Sequence, residues 1–281
     1  MSFGKFFSVS FLTAVLIFSG NAGEIKIKSG EKIAFLGDSI TRLGVSSAGY
    51  VTMIKDVFEA NGIKAVVVPA GISGHKSNDM LKRLDSDVLS KNVQIMALSC
   101  GVNDVWHGDR GVPLNEYKKN ITEIINRAQK KGVRVYIMTA TMIRENPNND
   151  YNKQLAPYND FLRKIAAEKN CVLVDQNSCM QSKYKELRKK YPRMKGNFLT
   201  YDGVHMNARG NMMMATVVLK ALGFSDAQIA KALPVWMKRY YGISRVSIPV
   251  EDFMKLSEKA YAANVDVPTY IRNLVLNDLK K

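Results

Sequence analysis

The sequence predicts an α/β protein: a mostly parallel sheet covered by helices on both faces, with a small helical appendage at the C-terminal end. Two observations predict it. Short apolar runs rich in β-branched residues recur at 32–36, 64–68, 93–99, 133–139 and 171–175, and helical stretches at 49–61, 78–90, 114–131 and 155–169 lie between them. Strands that alternate with helices form βαβ units, and those build a parallel sheet. In addition, runs such as Ala65-Val66-Val67-Val68 lack alternation, as strands buried on both faces do.

Each element has its own signal. The helices end at stop signals such as Asn61-Gly62 and Lys131-Gly132. A last core helix starts after His205 and runs through Met212-Met213-Met214 to Leu222; methionines at this spacing read as core filler, not as soft-metal ligands. The character changes after Leu233-Pro234. A short strand is expected at 243–249, where Val246 and Ile248 alternate, then a helix to about Ala263, then a second helix capped by Asp266 with Pro268 in its first turn. The chain therefore divides into 1–22, 23–233 and 234–281.

The first 22 residues are expected to be a cleaved leader or, alternatively, an uncleaved N-terminal anchor. Lys5 gives a positive start, 6–18 is almost wholly apolar, and Gly20-Asn21-Ala22 offers small residues at a cleavage site. This is the pattern of a secretory signal, too short to span a membrane comfortably. The protein is expected to be exported, to a periplasm or to the outside of the cell.

With 281 residues, 46% hydrophobic and 23% charged, the chain is long enough to bury a full core. Its net charge is +16, and Lys5 is the one charged residue of the leader, so the mature chain carries +15. That balance favours anionic surroundings. Export argues against nucleic acid, and an acidic polysaccharide or anionic envelope fits better. Of the three cysteines, Cys171 and Cys179 are the locally plausible disulfide pair, and Cys100 reads as a small buried hydrophobe.

In open parallel sheets, sites form outside the carboxyl ends of the strands. The first strand ends in Gly37-Asp38-Ser39. A serine there sits at a helix N-terminus, where an oxyanion meets fixed N–H donors; alternatively it simply caps the helix. The second strand runs into Gly71-Ile72-Ser73-Gly74-His75, where glycines let backbone approach a ligand or simply form a turn. The third ends in Gly101-Val102-Asn103-Asp104, whose Asn103 amide is a second type of oxyanion donor and, taken alone, a common turn residue. Last comes Asp202-Gly203-Val204-His205. A serine hydroxyl needs a base, His is the natural one near neutral pH, and Asp202 three residues earlier can fix its tautomer. His75 and His107 follow strand-end motifs too, so both are expected to border the cleft.

Taken in order, these four blocks resemble the SGNH (GDSL-like) hydrolase superfamily, whose Ser, Gly, Asn and His fall here on Ser39, Gly74, Asn103 and His205. The resemblance runs from about Lys32 to Gly223. Gly71 and Gly74 compete for the second block, and the Ser-Gly step before His75 favours Gly74. The resemblance implies a three-layer α/β/α sandwich with a flavodoxin-like sheet and ester hydrolysis through an acyl-enzyme. Its catalytic residues would be Ser39, Asp202 and His205, its oxyanion donors Ser39, Gly74 and Asn103, and no metal or organic cofactor would be needed.

The choice of ester is less constrained. The superfamily includes lipid esterases, lysophospholipases, thioesterases and carbohydrate deacetylases. No acyl tunnel is advertised locally, so short acyl groups such as O-acetyl on carbohydrate are expected. The stretch 181–195 holds seven Lys or Arg residues against Glu186, with Tyr184 and Tyr191 interleaved. It is either a solvated helix face or a grip on an anionic glycan. The last forty residues resemble, in spacing alone, a ribbon-helix-helix unit, which would make a homodimer; alternatively the helices pack on the main domain. A non-catalytic binding or assembly protein is the reading of a different class, and the intact Ser39, Asp202 and His205 speak against it.

Overall fold

The computed structural model describes residues 24–243 and 246–280; the stretch expected to be a leader lies outside them. The chain runs β1 (Lys32–Gly37), α1 (Ser39–Leu43), α2 (Tyr50–Ala60), β2 (Val66–Gly71), α3 (Ser77–Lys82), α4 (Leu84–Asp87), β3 (Ile95–Ser99), α5 (Val102–Trp106) and α6 (Leu114–Lys130). Then come β4 (Arg134–Met138), α7 (Asp150–Glu168), β5 (Val172–Val174), α8 (Gln176–Lys190), α9 (Ala208–Ala221) and α10 (Asp226–Ala230). The C-terminal unit holds α11 (Leu233–Lys238), β6 (Tyr240–Ile243), β7 (Val246–Pro249), α12 (Val250–Ala262) and α13 (Val267–Asp278).

The main sheet has the order β2-β1-β3-β4-β5, and every neighbouring pair is parallel. In β1 the side chains from Ile33 to Leu36 are wholly buried, which is why that strand shows no alternation. On one side α2 packs on α9 and α9 on α8; on the other, α3 packs on α6 and α6 on α7. The fold is the expected three-layer sandwich. Strand order reverses at β1, with β2 on one side and β3 on the other. Crevices in such sheets open at this switch point, outside the carboxyl ends.

Two elements differ from the sequence reading. The expected helix at 78–90 is broken into α3, α4 and a short turn. Ser86 Oγ donates to the Arg83 carbonyl at 3.1 Å, a local bond that competes with helix continuation. The second strand continues past Val68 through Pro69 to Gly71. It lies at the sheet edge, where a residue without an N–H is tolerated.

The strand expected at 243–249 is one arm of an antiparallel hairpin whose other arm is β6. Thus β7 pairs within its own chain, whereas the ribbon of a ribbon-helix-helix pairs between chains. The unit is fastened to the main domain. Trp236 is buried and donates its indole N–H to the Met53 carbonyl at 3.0 Å. Arg239 pairs with the buried Asp56 of α2, with Nε to Oδ2 at 2.6 Å. The Tyr261 hydroxyl donates to the Phe198 carbonyl at 2.7 Å. Cys171 and Cys179 are free thiols rather than a disulfide: β5 and the start of α8 separate them.

Candidate active site

The carboxyl end of β1 passes straight into α1. A Cβ at Gly37 would lie 2.1 Å from Thr41 Oγ1, so only glycine lets the helix turn back this closely onto the strand. Asp38 is the helix cap, accepting from the Ile40 N–H at 2.9 Å. Ser39 follows as the first helical residue, so its N–H has no intrahelical acceptor.

Ser39 meets two residues from far along the chain. His205 Nε2 lies 2.9 Å from Ser39 Oγ, and His205 Nδ1 lies 2.6 Å from Asp202 Oδ2. The other oxygen, Asp202 Oδ1, accepts the N–H groups of Val204 at 2.9 Å and His205 at 2.8 Å. The Asp-Gly-Val-His turn is closed by its own carboxylate, and that closure aims the imidazole. The hydrogen bond to Asp202 pushes the His205 ring up from its ordinary pKa, against its burial. Burial pushes the Asp202 carboxyl up, and the bonds from the His205 ring and the two N–H groups bring it below the usual range. A neutral imidazole held between a carboxylate and a hydroxyl can take the hydroxyl proton while the carboxylate supports the resulting charge.

The second and third blocks form one wall. Gly71 ends β2 with no room for a side chain, since a Cβ would lie 2.3 Å from the Arg42 nitrogen. Gly74 lies in the following loop at φ +78°, a left-handed conformation. Gly71 thus serves packing, and Gly74 is the glycine whose backbone faces no neighbour that would crowd it. Successive residues of α5 grip this loop. Asn103 Nδ2 donates one hydrogen to the His75 carbonyl at 3.0 Å, leaving its second for another acceptor. Asp104 Oδ1 accepts the Ser77 N–H at 3.0 Å.

Several residues that the sequence did not single out hold these parts in place. Arg83 donates to the Gly37 carbonyl and to the Ala70 carbonyl, both at 2.8 Å, and to His75 Nδ1 at 3.1 Å. One guanidinium therefore ties the end of β1 to the end of β2 and to the loop after it. Burial, then the Arg83 charge, lowers the His75 pKa, and its Nδ1 is taken up as the acceptor from Arg83. Glu145 is buried beneath the triad loop. Its carboxylate accepts from the Phe198 and Leu199 N–H groups at 2.7 Å, from the Thr200 N–H, and from Thr200 Oγ1 at 2.6 Å. Burial pushes its carboxyl up, against the four donors. Asp38 is fully buried beside Ser39, and burial raises it to about 6, opposed by the Ile40 N–H.

Arg144 supports the same loop from the side. Its N–H donates to the Gly203 carbonyl at 2.7 Å, and its guanidinium lies over Trp106 and Tyr151, 5.5 Å and 5.1 Å from their centroids. The basic stretch at 181–195 is divided: part of it packs and pairs within the chain, while Lys185, Lys189, Arg193 and Lys195 are exposed. Tyr184 and Tyr191 stand against Phe198, Lys183 faces Glu186, and Lys190 faces Glu258. His107 is not part of the triad; its ring is lowered by burial and by Lys76. Among the described residues no group of three His, Cys, Asp or Glu side chains converges as a metal site does.

Known proteins are similar to this chain over most of the main domain. A family model of the GDSL-like lipase/acylhydrolase family matches residues 35–213. An acetylxylan esterase of Geobacillus stearothermophilus is 28% identical over 222 residues, which span 71% of this chain and 97% of that protein. A solved acetyl xylan esterase, AlAXEase, is 33% identical, with 68% of this chain and 98% of that one covered and a TM-score of 0.62. The crystal structure of a Geobacillus stearothermophilus acetylxylan esterase superposes with a TM-score of 0.64 at 26% identity, covering 71% of this chain and 97% of that one. The chain belongs to the GDSL-like lipase/acylhydrolase family and is a carboxylic ester hydrolase.

Proposed function

We propose that this protein is an exported serine esterase that removes short acyl groups, acetyl first, from carbohydrate. The observation that carries the mechanism is the continuous chain Ser39 Oγ, His205, Asp202 at the carboxyl end of β1. His205 Nε2 takes the Ser39 proton as Oγ attacks the ester carbonyl. The Ser39 and Gly74 N–H groups and the free Asn103 amide hydrogen stabilise the oxyanion. His205 then gives its proton to the departing alkoxide, which leaves as the alcohol, and Ser39 keeps the acyl group. Water repeats the sequence: His205 removes its proton, the acid departs, and the proton returns to Ser39.

Carbohydrate as the alcohol is supported by the two kinds of acetylxylan esterase relative, whose full lengths this chain spans. An anionic glycan is supported only by the exposed part of the basic stretch, Lys185, Lys189, Arg193 and Lys195, since Lys183 and Lys190 face Glu186 and Glu258. Export rests on the leader, and N-terminal sequencing of the mature protein tests it.

The experiment is an acyl-length series of aryl esters, acetyl to dodecanoyl, with the protein from Gly23 onward and its Ser39→Ala variant. Activity should peak at acetyl and fall by several orders of magnitude in the variant. Equal activity in both proteins removes Ser39 from the mechanism, and a peak at long chains replaces carbohydrate with lipid.

A further inference from the structure

The segment after α1, the triad loop and the C-terminal hairpin enclose a cleft of about 660 Å³. Ligand sites commonly measure ~300–1,000 Å³. Tyr201 joins this cleft to the triad. Its ring stacks on the His205 ring, with centroids 5.7 Å apart and planes 17° apart, and its N–H donates to the His205 carbonyl at 3.0 Å. The hairpin adds Tyr240, Tyr241 and Ser247 to the lining, and loops of the main domain add Ser46 and Asn197. The side-chain oxygens and amide of these six residues make no hydrogen bond with any described residue.

Flat aromatic faces beside uncommitted hydroxyls and an amide suit a sugar, which offers C–H faces and hydroxyl rims to each. The place of the cleft along the triad says which half of an ester it receives. His205 must protonate the departing oxygen, so the alcohol lies on the His205 side, while the acyl carbonyl faces Gly74 and Asn103. The stack of Tyr201 on His205 puts the cleft on the alcohol side.

We infer that this cleft is a glycan subsite: it holds the sugar residues adjoining the esterified one, so that the C-terminal unit selects oligomers over single sugars. This rests on the carbohydrate reading above. Tyr240, Tyr241 and Ser247 all lie beyond residue 213, where the family model ends, so the subsite is not built from the matched domain alone.

The test compares wild type, Tyr240→Ala and Ser247→Trp on acetylated xylopentaose, acetylated xylose and para-nitrophenyl acetate. Tyr240 is 60% exposed, so truncating it leaves the core intact. The ratio of kcat/KM on the pentaose to that on the single sugar should fall about 10-fold in Tyr240→Ala, equivalent to ~1.4 kcal/mol. Ser247→Trp, which fills the cleft, should lower it at least as far, and Tyr240→Trp should restore it. If both disrupting variants keep the wild-type ratio, the subsite is overturned and the carbohydrate reading stands. If wild type cleaves the aryl ester but frees no acetate from either sugar, the carbohydrate reading fails and the subsite with it. A loss that is as large on para-nitrophenyl acetate as on the pentaose shows that the cleft does not read the sugar and also overturns the inference.

Discussion

Glu145 offers the sharpest check on how the triad is held. It is 6% exposed, and its carboxylate receives three backbone N–H groups and a hydroxyl from Phe198, Leu199 and Thr200 rather than from a triad residue. Those residues lead directly into Asp202. Replacing Glu145 with alanine strands three buried N–H donors, at ~1–3 kcal/mol each when unsatisfied. Water entering the vacated space meets part of that demand, so a net loss of about 4 kcal/mol is expected. Against a total stability of ~5–15 kcal/mol this is large. At ~2–4 °C per kcal/mol for a domain of this size, Tm should fall by roughly 10 °C. The loop also loses the anchor that sets the distance from His205 to Ser39, so kcat on an aryl acetate should fall more than KM rises. Glu145→Gln separates shape from charge. It fills the same space but points an N–H₂ group at N–H donors, so it should recover little of either loss. Thermal unfolding and steady-state kinetics on the three proteins decide the matter. If Glu145→Ala keeps Tm within about 2 °C of wild type and kcat within about threefold, the carboxylate is not what holds the loop.

Asp202→Asn should cost on the order of 10⁴ in kcat, because the imidazole loses its oriented tautomer and its counter-charge. It should also move the pH profile in a defined direction. In the wild type the Asp202 hydrogen bond raises His205, the base must be neutral, and the acid limb of kcat/KM therefore lies above the ordinary His value of 6.5. Without the carboxylate that limb shifts to lower pH; a limb that stays in place assigns it to another group. Arg83→Met should release the Gly37 and Ala70 carbonyls and the His75 ring together, lowering kcat by up to about 10²- to 10³-fold, the scale of one lost oxyanion donor. Arg83→Lys should not restore it, since an ammonium cannot reproduce a fork that meets four acceptors at once, the Asp87 carboxylate among them. Rescue by lysine, or a loss confined to Tm, refutes a positioning role.

These residues differ in how far the sequence betrays them, and the difference has a physical basis. The helix start at Ser39, the conformation of Gly74 and the carboxylate-closed turn from Asp202 to His205 are local matters: a few consecutive residues determine each, so each leaves a short motif. Sheet and helices are equally legible, because burial imposes a period on the chain. The hairpin was half seen. Val246 and Ile248 alternate as a strand should, but Tyr240–Ile243 carries no comparable pattern and gains its strand form only by pairing with β7. Capping marked the last helix correctly: Asp266 accepts from the Thr269 N–H at 3.0 Å. Nothing local said that the unit would fasten to Asp56 and Met53, some 180 residues earlier.

Glu145 and Arg83 were invisible for the same reason. Glu145 acts on residues more than fifty positions away, and Arg83 reaches back 46 positions to Gly37. An acidic residue after an apolar run and an arginine within a helical stretch each read as ordinary surface until the fold brings their partners round. It follows that the chemistry of this site is written locally and its geometry is written at long range. A substitution in a motif removes a reacting group outright, whereas one at Glu145 or Arg83 leaves every reacting group in the chain and changes only where they stand. Stability alone cannot distinguish such a residue from any other buried polar group. The division of its effect between kcat and KM can, because a displaced base lowers turnover even where the substrate still binds.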